Sequence, residues 1–179
     1  MKAKIAIVGS GNIGWALKQL LKSDYDLRQG DIADGFDAKD IKQVKDFLKG
    51  ADAVISAAPF AVNKNIATVA AEEGIAYFDL TEDVETTDFI KTLKSKSILM
   101  PQCGLAPGAI NVCAASMMEE FDSVNEVLMR VGALPRFTTN EMSYYLSWST
   151  NGLINEYCNE ADAIYEGKAI KTMPLEGAE

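Results

Sequence analysis

The chain contains no histidine, so the side chain that most often acts as a general acid or base near neutral pH is missing. Any proton transfer must use Asp, Glu, Lys, Tyr, Cys, water or a partner chain. Cysteine is scarce too, because Cys103, Cys113 and Cys158 are odd in number and lack C-x-x-C spacing. This argues against a disulfide framework and a structural zinc site, and it favours the reducing cytoplasm.

Positive charge is also in short supply, with 17 Lys and Arg residues against 26 Asp and Glu residues and a formal net charge of −9. The basic residues are scattered, which argues against nucleic acid or an anionic membrane surface as a partner. The longest apolar run, residues 53–62, is interrupted by Pro59 and is too short to cross a bilayer. The 179 residues, 48% of them hydrophobic, fit one domain or one domain plus part of another.

The start of the chain carries its most informative pattern. The apolar run at residues 4–8 leads into a G-x-G-x-x-G motif formed by Gly9, Gly11 and Gly14, and apolar residues then recur at helical spacing. Gly9 permits a tight turn, Gly11 has no side chain to hold a pyrophosphate away from the backbone, and Gly14 allows close packing of helix on strand. The positive end of the helix then faces the phosphates. The pattern predicts dinucleotide binding.

Strands and helices alternate from the start of the chain to about residue 121. Strands are expected at 25–32, 53–58, 75–79 and 98–100, with helices at about 38–49, 62–74 and 107–120. This alternation predicts an α/β fold, a Rossmann-like doubly wound parallel sheet, over residues 1–121. Asp31 lies 22 positions after Gly9, close to the spacing of an acid that binds the adenosine ribose.

The pattern changes in residues 122–179, which we interpret as part of an α+β second domain for substrate binding or dimerisation. Residues 124–132 alternate like a half-exposed strand, and a second strand-like run covers 142–148. A short helix through Tyr157 and a hairpin over 161–173 complete the region. So few antiparallel strands make a poor independent core and leave an unpaired edge, so we expect a homodimer.

Five segments of the chain form a recognisable set. Three of them are the glycine motif, GADAVISAAP at residues 50–59 and YFDLTE at 77–82. The other two are more specific: MPQCGLAPG at 100–108 and WSTNGLINEY at 148–157. Together the five segments resemble the saccharopine dehydrogenase family, which includes lysine dehydrogenase-like oxidoreductases. The resemblance covers the whole chain. It implies hydride transfer between a nicotinamide cofactor and a carbon that bears an amine, with an amino acid or amine as substrate.

The resemblance also implies a set of cofactor-binding residues at the carboxyl edge of the sheet. The three glycines would turn under the pyrophosphate, and the backbone of Asn12 and Ile13 would donate to it. Asp31 would hold the adenosine ribose and favour NAD over NADP, whose 2′-phosphate it would repel, although NADP stays possible. The remaining contacts would come from Ala57, Ala58 and Pro59 on the adenine–ribose side and from Asp79, Leu80 and Thr81 on the nicotinamide side.

The sequence departs from the family pattern in two places. Only 21 positions separate Asp31 from Asp52, too few for the usual helix, strand and helix, so the sheet is expected to lack an edge strand. Asp31 could therefore correspond to the end of the family's third strand instead, in which case the ribose acid is gone. Family chains also continue well beyond residue 179, so we expect a C-terminal truncation that removes much of the substrate pocket.

Without histidine, the main candidates for the proton path are Asp79, Glu82 and Cys103, with Asp83 and Tyr145 as further ones. Helix capping is the alternative role for the acids at 79–83, and a small inert thiol is the alternative for Cys103. Arg130 is a candidate for the substrate carboxylate and Trp148 for a pocket wall. Simple solvent exposure of Arg130 and core packing of Trp148 are the respective alternatives.

The leading functional prediction is an NAD(P)-dependent oxidoreductase of the saccharopine dehydrogenase type, and whether this chain is active alone stays open. A non-catalytic NAD(P)-binding or nucleotide-sensing module is the alternative, although that class does not account for the segment 148–157. An atypical reductase of carbonyl substrates fits less well, since the Tyr-x-x-x-Lys pair of short-chain reductases is absent from the sequence.

Overall fold

The computed structural model describes residues 2–132, 134–138, 140, 141, 143, 145, 146 and 150–176. A parallel sheet with flanking helices comes first, and a small antiparallel hairpin follows at the C-terminal end. The first part contains β1 (Lys4–Val8), α1 (Asn12–Leu21), β2 (Asp26–Gly30), α2 (Ile41–Leu48), β3 (Ala53–Ser56), α3 (Asn63–Glu73), β4 (Ala76–Asp79), α4 (Val84–Thr92) and β5 (Leu99–Met100). The second contains α5 (Ala109–Met118), α6 (Thr150–Cys158), β6 (Ala161–Tyr165) and β7 (Lys168–Thr172).

The five parallel strands lie in the order β2-β1-β3-β4-β5, which confirms the doubly wound Rossmann-like fold. After β2 the chain crosses to the other side of β1, so the strand order reverses between β1 and β3. The register aligns Val8 with Gly30 on one side and with Ser56 on the other, and Ser56 with Asp79. Four strands therefore end in one row. In such sheets the crevice at the reversal point, beyond the carboxyl ends, is where ligands bind.

The core lies between one face of this sheet and the layer formed by α2, α3 and α4. Ala6, Val54 and Tyr77 alternate with residues of the opposite face, as a period of two requires, and all three are fully buried. From the helices, Leu48 and Ile66 fill the same cluster, each with no exposed surface. Burying side chains of this size stabilises the fold by about 2 kcal/mol each. The helix α1 packs separately against β1 and β2.

The sheet lacks the strand that would flank β2, as the short spacing predicts. Only α2 and a short 3₁₀ turn at Ile32–Asp34 connect β2 to β3. Two rings close the end of β2: those of Phe36 and Phe47 lie 4.4 Å apart, and a Cβ on Gly30 would meet Phe47 at 2.8 Å. The guanidinium of Arg28 lies 5.4 Å from the Phe47 ring. Glycine at position 30 is thus required by this ring pair.

The C-terminal part agrees only in part with the sequence-based expectations. The helix through Tyr157 and the hairpin are confirmed, but the predicted strand over 124–132 is wrong. Those residues, all of them described, carry no regular secondary structure. Alternation of apolar residues indicates a strand only where a neighbouring strand supplies backbone partners. Part of the run expected at 142–148 lies outside the described residues, Trp148 included.

Two properties of the described residues bear on function. No helix among them combines the length and the apolar character that a membrane crossing needs. No group of three or more Cys, Asp or Glu side chains among them could hold a metal ion.

Candidate functional site

The glycine motif forms the tight turn between β1 and α1. Gly9 has φ +101°, and a Cβ there would lie 2.7 Å from the carbonyl oxygen of Ala57, so only glycine fits. Its N–H donates to the oxygen of Gly30 over 2.8 Å, and its own carbonyl accepts from Gln29 Nε2 over 2.9 Å. Gly11 differs, because no described atom comes within 4 Å of a Cβ built on it. The loop is therefore held firmly at Gly9 and open at Gly11.

Asp31 is tied to this loop by its side chain. Oδ2 accepts from the backbone N–H of Ser10 over 2.6 Å, and Oδ1 accepts from that of Ala33 over 3.1 Å. These bonds, first that of Ala33 and then that of Ser10, hold the pKa of the carboxyl below its usual value. Asp31 follows the strand that pairs with β1, so its carboxylate lies beside the glycine turn. A charged acceptor thus stands next to the open backbone of the loop.

A cleft of about 640 Å³ opens beside the glycine turn, a size usual for small-molecule sites. Three segments that are distant in sequence line it: the start of α1, the loop after β3 and the loop after β4. It brings together nine of the residues that the sequence singles out. The lining residues are Gly11, Asn12, Ile13, Ala57, Ala58, Pro59, Phe60, Leu80, Thr81 and Glu82.

A second depression, of about 550 Å³, lies on the outer side of the same loop. Gly11 and Asn12 are shared with the first cleft, while Ser10, Trp15 and Ala16 line only this one. The Trp15 side chain is 62% exposed here. An aromatic ring therefore stands at the edge of the loop, where sequence reasoning did not look for one.

Asp79 lies behind the first cleft with no exposed surface. Its Oδ2 accepts from the hydroxyl of Tyr77 over 2.6 Å and from Asn63 Nδ2 over 3.2 Å. Its Oδ1 accepts from the backbone N–H groups of Thr81, at 3.0 Å, and Gln102, at 3.1 Å. Burial raises the pKa of this carboxyl, and the four hydrogen bonds oppose the rise. The side chain does not cap α4, which is done by Asp83, whose Oδ2 accepts from Thr86 N over 2.8 Å.

Glu82 is the acidic residue that reaches the cleft. It is half-buried, and its burial, followed by the charges of Asp83 and Asp79, raises the pKa of its carboxyl. Glu156 of α6 lies within electrostatic reach, because the charge of Glu82 adds to burial in raising the pKa of Glu156. Acids with raised pKa values beside a cleft are typical of functional sites.

The other predicted site residues that the structure describes are not part of the cleft lining. Cys103 is half-buried beyond β5, and burial, then the charge of Asp79, raises the pKa of its thiol, which therefore stays protonated near neutral pH. Arg130 is exposed in the irregular segment after α5. Trp148 falls outside the described residues. The cleft lining also does not include Gly9, Gly14, Asp31 or Asp79, which belong to the elements and loops next to it.

Sequence reasoning missed several residues of this site. Phe60 follows directly on Pro59 and lines the cleft. Asn63 is 1% exposed at the start of α3, where it accepts from Ser56 Oγ over 2.7 Å and donates to Asp79. A buried amide in an apolar helix is a usable sequence signal, since such groups require partners. Its partner, 16 positions away in sequence, could be found only from the fold.

Two comparisons with known proteins relate this chain to the saccharopine dehydrogenases. Residues 104–179 match the saccharopine dehydrogenase C-terminal domain, a range that begins upstream of the predicted domain boundary at residue 122. The fold matches that of an apo saccharopine dehydrogenase (L-Glu forming) from Saccharomyces cerevisiae with a TM-score of 0.65 and 19% identity over 96% of this chain. The resemblance to the saccharopine dehydrogenase family is confirmed. The chain spans only 44% of the length of that yeast saccharopine dehydrogenase.

Two other solved structures are less similar to this saccharopine dehydrogenase-like chain. RSP, a Rex-family repressor, has 22% identity and a TM-score of 0.44, over 66% of this chain and 61% of its own. A small-chain dehydrogenase has 16% identity and a TM-score of 0.38, over 68% and 70%.

Proposed function

We propose that this chain binds a nicotinamide dinucleotide and contributes to an oxidoreductase of the saccharopine dehydrogenase type, with NAD favoured over NADP. One observation carries the proposal: an open glycine turn, a charged Asp31 and the larger cleft meet at the point where the strand order reverses. The glycine turn suits the cofactor, because the space that a Cβ on Gly11 would occupy is open and can take a pyrophosphate. When bound, the cofactor would supply hydride transfer at a C–N bond of an amino acid or amine.

The residues of this chain would hold that cofactor as follows. Backbone N–H groups at Asn12 and Ile13, at the positive end of α1, would bind the pyrophosphate. The Asp31 carboxylate would accept from the ribose hydroxyls, and its charge would oppose a 2′-phosphate. The loops after β3 and β4, with Ala57, Ala58, Pro59 and Leu80, would enclose the rest.

Glu82 is the proposed proton acceptor, because it lines the cleft and burial raises the pKa of its carboxyl, which makes it a better proton acceptor. An amine substrate that loses a hydride must also lose a proton, and Glu82 is the acid that lines the cleft. Cys103 is a weaker candidate, since its raised pKa keeps the thiol protonated. Arg130 and Trp148 remain proposed substrate contacts on the strength of the resemblance alone.

A non-catalytic NAD(P)-binding module is the second candidate, and one observation favours it. Among the described residues that line the cleft, none is Lys or Arg, so the cleft itself offers no cation for an amino-acid carboxylate. Such a chain would bind the dinucleotide without turning over a substrate. Cofactor binding is common to both candidates and is the property to test first.

The deciding experiment is calorimetric titration of NAD⁺ and NADP⁺ into the wild-type chain and into two leucine variants. Gly11→Leu fills open space at the turn, and Gly132→Leu does the same at an exposed position far from it, since no described atom lies within 4 Å of either Cβ. We expect saturable binding to wild type and to Gly132→Leu, and at least a tenfold loss for Gly11→Leu. Absence of binding to wild type, or equal binding by both variants, overturns the proposal. Turnover of lysine or saccharopine would then separate the enzyme from the module.

We also propose that the chain forms a homodimer and functions in the cytoplasm. Large apolar side chains are exposed after α5, among them Leu128, Phe137 and Ile164 at 63%, 77% and 80%. The described part of the chain has no buried apolar core residue beyond Ile90. Such surfaces favour association. Sedimentation equilibrium tests the homodimer, with a monomeric mass at micromolar concentration as the contrary result.

The proposed cytoplasmic location rests on the cysteines. All three are free, which fits a reducing compartment.

A further inference from the structure

A buried carboxylate connects the three loops that begin where β3, β4 and β5 end. Ser56, the last residue of β3, donates through its hydroxyl to Asn63, and Asn63 donates to Asp79, the last residue of β4. Asp79 in turn accepts from the N–H of Gln102, beyond β5. Ser56, Asn63, Tyr77 and Asp79 are each 1% exposed or less, so water does not compete for these hydrogen bonds.

The segment after β5 depends most strongly on this carboxylate. Gln102 has φ +64°, a left-handed conformation that costs a side-chain-bearing residue free energy. The Asp79 Oδ1 accepts from its N–H, and the carbonyl oxygen of the same Asp79 accepts from the N–H of Cys103 over 2.7 Å. Side chain and main chain of one residue therefore hold two successive residues of the next loop.

The loop after β4 is held by the same oxygen. Thr81 N donates to Oδ1 over 3.0 Å, and Thr81 Oγ1 accepts from Asp83 N over 3.1 Å. This chain of bonds fixes the backbone on both sides of Glu82, whose side chain lines the cleft. The carboxylate thus controls the loop that presents the cleft's acid.

We propose that Asp79 is a positioning residue that holds the loops after β3, β4 and β5 in their relative places, without itself touching substrate or cofactor. This inference rests on the proposed function in that those loops frame the dinucleotide cleft. All four groups around the carboxylate are donors, so an amide in its place would set its own N–H₂ against two of them. Asn63 and Tyr77 act with it, because they orient Oδ2.

The test combines amide hydrogen exchange with cofactor titration on Asp79→Asn and Asn63→Ala. We expect the amides of Thr81 and Gln102 to lose at least tenfold in protection in both variants, while the amides of β1 keep theirs. NAD⁺ affinity should fall by about tenfold. Asn65→Ala is the matched control, because Asn65 lies on the same helix but donates to the carbonyl oxygens of Ala38 and Lys39. It should leave both loop amides unchanged.

The outcomes separate this inference from the proposed function. If Asp79→Asn does not fold, Asn63→Ala decides the question, since it leaves the carboxylate in place. Unchanged protection of Thr81 and Gln102 in Asn63→Ala, or the same loss in Asn65→Ala, overturns the positioning role. Failure of wild type to bind either dinucleotide overturns the proposed function, while the exchange measurement still reports on Asp79.

Discussion

Gly14 packs against the carbonyl oxygen of Gly9 so closely that a Cβ at position 14 would lie 2.1 Å from that oxygen. The obstructing oxygen belongs to the backbone of Gly9, which hydrogen bonds to Gly30 and Gln29 keep in place. A side chain at position 14 would therefore meet backbone, which cannot move aside as a flexible side chain could. Position 14 is limited to glycine by packing, whereas position 11 is limited only by what the cleft must accept.

The first prediction contrasts these two glycines. We expect Gly14→Ala to lower the free energy of unfolding by about 3 kcal/mol, since overpacking against fixed backbone is costly. Gly11→Ala should change it by less than about 1 kcal/mol, because its Cβ meets no described atom within 4 Å. Urea denaturation followed by circular dichroism measures both. Equal stabilities of the two variants would contradict the packing argument.

The second prediction concerns the choice between the two dinucleotides. Asp31→Asn removes the charge that would face a 2′-phosphate, and we expect the ratio of NAD⁺ to NADP⁺ affinity to fall by about tenfold, or ~1.4 kcal/mol. Asp34→Asn makes the same change three residues later, at an exposed position of the following turn. Calorimetry on both variants gives the comparison. A shift of the same size in Asp34→Asn would mean that general charge, rather than Asp31, sets the preference.

The third prediction is a pH dependence of stability. The pKa of the Glu82 carboxyl is raised above its ordinary value of 4.5, chiefly by burial, so the folded chain keeps a proton that the unfolded chain has already released. The free energy of unfolding must then fall as the pH rises from about 4.5 through the raised pKa. Asp79 and Glu156 act in the same direction.

Glu82→Gln tests this, because glutamine cannot release a proton. We expect the decline in stability as the pH rises above about 4.5 to become shallower in urea titrations of the variant. Glu119→Gln, at an exposed position at the end of α5, should follow wild type. A variant Glu82→Gln with the wild-type slope would show that Glu82 does not titrate in this range.

The fourth prediction uses the exposed ring at the glycine turn. Trp15 lines the outer depression beside Gly11, and Trp148 is the one other tryptophan of the sequence. We expect NADH to quench tryptophan emission and to do so equally well in Trp148→Phe. In Trp15→Phe most of the quenching should be lost while calorimetric affinity changes little. Quenching that survives in Trp15→Phe and disappears in Trp148→Phe would contradict the position of the binding site.

Features that depend on neighbouring residues could be predicted from the sequence, whereas features that depend on distant parts of the chain could not. The glycine turn and the strand–helix alternation depend on neighbouring residues, and both are confirmed. The absence of a strand beside β2 follows from the short spacing between Asp31 and Asp52, and it is confirmed as well. By contrast, the strand expected at 124–132 needs a partner strand, which no local pattern reveals.

The acids at 79–83 show the same limit at the level of single side chains. Capping and catalysis both suit this cluster in sequence. The structure gives capping to Asp83 and the cleft position to Glu82, and it encloses Asp79 among four donors. Residues from β4, α3 and the segment after β5 create these surroundings. Only the three-dimensional arrangement shows which acid caps the helix, which lines the cleft and which is buried.

The Phe36–Phe47 ring pair lies at the end of β2, and β2 itself is poorly suited to pair with a further strand. The outermost strand of the parallel sheet carries alternating charges at Asp26 and Arg28, and charged edge residues disfavour pairing with a further strand. The edge of β2 is thus a poor site for strand pairing. This leaves the end of β2, beside the glycine turn, accessible to a diffusing dinucleotide.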